Sequence, residues 1–193
     1  EWKGQLYNFI KPDVSDVFVY YHGHGAPDVE NGKSFLVPGD ADPNYIRFNG
    51  YPLDLLYTNL ARLPARTITV VLDACFSGFS ESGNLVRGVS PALLRVESPA
   101  LAAEHMVVFS AAEASQVSGW YEEKKHGLFT YFFLRGLQGE ADTGHDGRVT
   151  VQEMDAYLTD NVAFMARRLN GREQVPQMLG TDRERVLIEL GHR

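Results

Sequence analysis

Three short runs in this chain are apolar at consecutive positions, and they narrow the possible fold more than any other feature. Asp16-Val17-Phe18-Val19-Tyr20-Tyr21, Thr67-Ile68-Thr69-Val70-Val71-Leu72 and Met106-Val107-Val108-Phe109-Ser110 are rich in β-branched and aromatic residues. A strand with one wet face alternates polar and apolar residues, whereas a continuous run fits a strand covered on both faces, as in a parallel sheet. We therefore predict three sheet strands, the first of them central. Between the first two lies Tyr51-Pro52-Leu53-Asp54-Leu55-Leu56-Tyr57-Thr58-Asn59-Leu60, with an early proline and apolar residues at helical spacing, which reads as a crossover helix. Further helices are expected from Leu128 to Leu137 and from Val151 to Leu169, the latter opened by a capping box of Thr150 and Glu153. Arg185 to Leu190 reads as a last strand. This alternation specifies an α/β fold, an α/β/α sandwich with a mainly parallel central sheet.

The chain has 193 residues, 44% of them hydrophobic, enough for a single domain over residues 1–193. Residues 80–105 break the pattern: Gly83, Gly88, Pro91 and Pro99 interrupt a stretch with little periodicity, which reads as a long, cleavable surface loop. A net charge of −7 argues against nucleic acid or an anionic membrane surface as partner and favours basic substrates. No apolar run approaches the roughly 18 residues of a membrane span, and no leader is recognisable at Glu1, so the expected location is cytoplasmic. The one cysteine, Cys75, has no disulfide partner in the chain and is either inert packing or chemistry.

Its surroundings favour chemistry. In open parallel sheets, ligands bind beyond the carboxyl ends of the strands. The first run ends in His22-Gly23-His24-Gly25 and the second in Asp73-Ala74-Cys75-Phe76-Ser77-Gly78, so the two motifs should meet in space. A thiol attacks as thiolate, and a neighbouring histidine both promotes that form and later protonates the leaving amine. Cys75 as nucleophile and His24 as acid/base supply both halves. Glycine beside them lets backbone N–H groups approach a substrate carbonyl, so the amides of Gly25 and Cys75 are the candidate oxyanion donors.

Tyr20-Tyr21-His22-Gly23-His24-Gly25 resembles the histidine motif of caspases, metacaspases and bacterial caspase-like peptidases, and Asp73-Ala74-Cys75-Phe76-Ser77-Gly78 resembles their cysteine motif. The separation of 51 positions (75 − 24) is close to the caspase spacing of about 50. The likeness continues through Phe109-Ser110-Ala111-Ala112-Glu113 and His126-Gly127-Leu128-Phe129-Thr130 and so covers most of the chain. It implies a cysteine endopeptidase with a His24/Cys75 dyad, with Ser110, Ala111 and Glu113 on the substrate side. It also implies earlier strands that this chain lacks, whether absent or attached noncovalently as a separate N-terminal segment or regulatory domain. Caspases of animals carry glutamine where this chain has Asp73, and metacaspases carry aspartate; a buried carboxylate needs a cationic partner, which substrate arginine or lysine would provide. Cleavage of protein or peptide substrates after Arg or Lys is therefore expected, with Arg87 and Arg95 as candidate self-cleavage sites. His22 stands where metacaspase-like sequences usually have serine and is a candidate pocket residue.

Other readings compete. The His22-x-His24 pair could chelate zinc, but the corresponding hydrolase pattern needs an acidic residue where this chain has Ala26. A catalytically silent caspase-like scaffold would use the same cleft for binding. Asp142 to Glu153 follows a calcium-loop pattern at Asp142, Asp146, Gly147 and Glu153 but has Gly144 at its third position, so Ca2+ is a weak candidate ligand and no cofactor is required. Lys124-Lys125 reads as solvated surface, while Trp120 and Tyr121 could contact substrate.

Overall fold

A computed structural model describes residues 3–28, 33–42, 45–76, 79–80, 83–84, 99–112 and 116–191. Glu113, Arg87 and Arg95 lie outside the described residues. In chain order the elements are helix α1 (Gln5–Phe9), strands β1 (Asp16–His22), β2 (Gly25–Asp28) and β3 (Lys33–Leu36), and helix α2 (Ile46–Asn49). Strand β4 (Tyr51–Pro52), helix α3 (Leu53–Ala61), β5 (Thr67–Asp73), the short pair β6 (Phe79–Ser80) and β7 (Gly83–Asn84), and β8 (Met106–Ser110) follow. The last third holds β9 (Trp120–Tyr121), β10 (His126–Gly127), α4 (Leu128–Arg135), β11 (Arg148–Thr150), α5 (Val151–Asn170), β12 (Gln177–Leu179) and β13 (Val186–Glu189).

The three apolar runs are β1, β5 and β8, and they pair in parallel, with β12 added antiparallel to β8 in the order β1-β5-β8-β12. Alternation along β5 divides the core. Ile68, Val70 and Leu72 pack with Leu53, Tyr57 and Leu60 of α3, while Val71 packs with Leu128, Phe132 and Phe133 of α4 and Met154 and Leu158 of α5. Both faces of the sheet are thus covered by helices, the expected α/β/α arrangement.

Two expectations change in detail. Among the described residues β1 pairs only with β5, so it is an edge strand instead of a central one, and Phe18 and Tyr20 remain 57% and 48% exposed. Helix α4 ends at Arg135 and continues as one wide turn, Gly136–Glu140, because Gly139 at φ 109° leaves the helical region. The expected last strand is present as β13 and pairs with β11. Among the described residues no helix is long and apolar enough to cross a membrane.

The predicted capping box is present. Thr150 Oγ1 accepts the Glu153 N–H at 3.2 Å, and Glu153 Oε2 accepts the Thr150 N–H at 2.9 Å. Thr150→Ala is therefore expected to lower stability by about 1 kcal/mol in denaturant unfolding. An unchanged midpoint would show that the twenty-residue α5 does not depend on its cap.

Candidate active site

Parallel pairing carries the two motifs to the same end of the sheet. The register matches His22 with Asp73, so His24 and Cys75 each lie two residues beyond the last matched pair of β1 and β5. The connecting backbones are held close: Gly23 N–H donates to Asp73 O at 3.2 Å, and His24 O accepts both Val37 N–H and Tyr21 Oη–H at 2.9 Å. Gly25 abuts the cysteine loop so tightly that a Cβ there would lie 2.6 Å from Cys75 O and 2.5 Å from the Phe76 ring. Only glycine fits without displacing that backbone.

The bond from Val37 N–H to His24 O also fixes what Gly25 can do. It makes Gly25 and Leu36 a non-hydrogen-bonded pair of the β2–β3 ladder, whose N–H and C=O groups point away from the partner strand. The Gly25 amide is therefore not consumed by β3. Cys75 is partly exposed, and its Sγ accepts the Ser118 N–H at 2.6 Å, a donor that favours negative charge on sulfur.

Asp73 ends β5 on the α4 side of the sheet, where its carboxylate is 1% exposed. Thr130 Oγ1–H donates to Oδ2 at 2.5 Å, Ser118 Oγ–H donates to Oδ1 at 2.8 Å, and His22 Nδ1 lies 3.3 Å from Oδ2. The hydrogen bond to Asp73 raises the pKa of His22 above its ordinary value, against a smaller opposing effect of burial. When protonated, His22 is a cationic partner for Asp73 within the chain itself, a role expected of a substrate side chain. Tyr20 Oη is 2.9 Å from Thr130 Oγ1, extending the network, and the His22 ring lies 6.2 Å from that of Trp120. Trp120 and Tyr121 of β9 are both partly exposed, and β9 pairs with β10 beside this network.

Gly127 of β10 closes over the carboxylate. A Cβ there would fall on Asp73 Oδ2 and come within 3.3 Å of His22 Cε1. Gly127→Ala should cost about 1–3 kcal/mol and displace the Asp73 carboxylate, because Thr130 and Ser118 hold it from behind. The same melting temperature and the same His22 titration in this variant would show that the contact relaxes without consequence.

The other expected substrate-side residues are placed differently. Ser110 ends β8, with its hydroxyl bonded to Ala112 O at 3.3 Å. Ala111 is fully buried in the core, and its carbonyl accepts Gln174 Nε2–H at 3.0 Å. Gln174, itself buried, also accepts Gly119 N–H at 2.7 Å and so anchors the segment that carries Ser118. Ser118 and Gln174 were not singled out from sequence, because isolated polar residues far from either motif give no pattern. Thr130 and Gly127 lay inside a quoted family-like segment, but only packing gives them a role.

The calcium-loop residues are occupied by their own backbone. Asp142 Oδ1 and Oδ2 accept Asp146 and Gly147 N–H, and Asp146 Oδ1 accepts Arg148 N–H. The Thr150 N–H holds the Glu153 carboxyl below its usual range, helped by the Thr150 hydroxyl and by Gly144 N–H. Among the described residues no group of three or more His, Cys, Asp or Glu is arranged to hold a metal ion.

The family model for the caspase domain matches residues 2–187. Among solved structures, the fold is similar to caspase-1 from Spodoptera frugiperda, with a TM-score of 0.52 and 14% sequence identity. That alignment covers 92% of this chain and 65% of the insect protein, so the chain spans about two thirds of its length. No curated protein sequence matches the chain.

Proposed function

Because the chain belongs to the caspase domain family of peptidases, we propose that it hydrolyses peptide bonds with Cys75 and His24, cutting after arginine or lysine. The observation that carries this reading is the match of His22 with Asp73, which brings the His24 and Cys75 loops together beside a buried carboxylate. The Cys75 thiolate attacks the carbonyl carbon, forming an S–C bond and an oxyanion held by the Gly25 and Cys75 amides. Collapse breaks the C–N bond, and His24 gives its proton to the departing amine. Water then attacks the thioester as His24 takes its proton, releasing the acid and regenerating the thiolate.

Asp73 supplies the preference for a basic side chain. It is the buried acidic side chain beside the nucleophile loop, and a guanidinium or ammonium is the substrate group that would compensate it. Fluorogenic peptides ending in Arg, Lys or Asp test this directly: release after Arg and Lys should exceed release after Asp. The reverse order would refute the basic pocket.

A further inference from the structure

His22 is the outermost of the groups on Asp73. Thr130 is buried and Ser118 partly buried, whereas the His22 side chain is 46% exposed over a carboxylate that is 1% exposed. Gly127 closes another side, where even a methyl group would strike the carboxylate. Among the described groups bonded to Asp73, the imidazole is the one most open to solvent.

We propose that His22 is a specificity-determining residue: its imidazolium is an internal counter-cation on Asp73, and a basic substrate side chain must displace it to enter the pocket. The inference rests on the assignment of Asp73 as the pocket carboxylate. One carboxylate serves two cations, so the affinity for the external one falls by the fraction of protein in which the internal one is seated.

A dependence on pH follows with a defined sign. Of the groups around His22, the charged one acting on it is Asp73 of β5; Trp120 of β9 and Gly127 of β10 are uncharged, and Tyr20 of its own strand reaches Thr130. The free pocket holds His22 protonated above its ordinary value of 6.5. Once a guanidinium occupies Asp73 that support is lost, so between the ordinary and the raised value binding expels a proton. Affinity for a basic ligand then rises with pH across that window.

The test uses Cys75→Ala protein, so that nothing is cleaved, and calorimetric binding of a short peptide amide ending in arginine, with a norleucine peptide as uncharged control. From about pH 5.5 to 8.5, affinity for the arginine peptide should rise with release of a proton when His22 is present. His22→Gln should bind roughly two- to fivefold more tightly at the acid end and show no such slope, while His22→Lys should bind weakly throughout. Arginine-selective binding that is identical in wild type and both variants overturns the role of His22 and leaves the basic pocket standing. If the norleucine peptide binds as well as the arginine peptide in every variant, the basic pocket itself is wrong, and the inference falls with it.

Discussion

Cys75→Ala protein is expected to lose peptide hydrolysis, by a factor on the order of 10⁴ or more, while keeping its fold. The nucleophile forms the bond that divides the reaction into two easier steps, and alanine offers no atom to form it. The structural cost should be small, because Cys75 is partly exposed and alanine keeps its Cβ. His24→Ala should fall comparably, and the double variant little further than either single one, since the two residues act as one unit. Equal turnover by Cys75→Ala and wild type, measured on the arginine peptide with matched melting temperatures, would falsify the cysteine mechanism. Activity lost on chelation and restored by zinc would instead favour the metal reading of the His22 and His24 pair.

The second large effect is expected at Asp73. Asn has nearly the same shape, so Asp73→Asn keeps the packing against Gly127 and retains an acceptor for one of the two hydroxyls. What it removes is the charge. Cleavage after Arg or Lys should drop about 10²-fold, the size of a charge-assisted contact made in a site shielded from water. Cleavage of a peptide with an uncharged residue at the same position should change little. The His22 titration should fall back toward its ordinary value, since the hydrogen bond that His22 donates to Asp73 is the leading cause of its rise. Undiminished cleavage after Arg in this variant would remove Asp73 from the specificity pocket, whatever the result for Cys75.

Gly127→Ala complements this substitution. Asp73→Asn changes charge and leaves space alone, whereas Gly127→Ala changes space and leaves charge alone, so the two separate recognition of a cation from the shape of the wall.

Much of the fold was legible because it depends on local patterns. Continuous apolar runs need cover on both sides, and β1, β5 and β8 have those runs; β5 and β8 are covered as their composition requires. The cap of α5 was readable for the same reason, as Thr150 and Glu153 lie within one turn. The position of β1 was not. A strand's own residues report burial of its faces, but its edge is satisfied by hydrogen bonds to other strands, which leave no mark on composition. Likewise, β13 has the residues of a strand, and only the tertiary arrangement decided that β11 was its partner.

The site divides in the same way. The sequence by itself determined that Cys75, His24 and Asp73 stand at the ends of two strands, since chain order and strand pattern suffice for that. Tertiary structure decided what surrounds them. Ser118 and Thr130 reach Asp73 across 45 and 57 positions, and Gln174 reaches Gly119 across 55, separations at which no periodicity links one residue to another. Most of all, the sequence left Asp73 as a carboxylate in need of a cation, and the structure put His22 beside it. A one-to-one register of parallel strands places side chains of matched residues on the same face, and a buried negative charge retains whichever cation that register delivers.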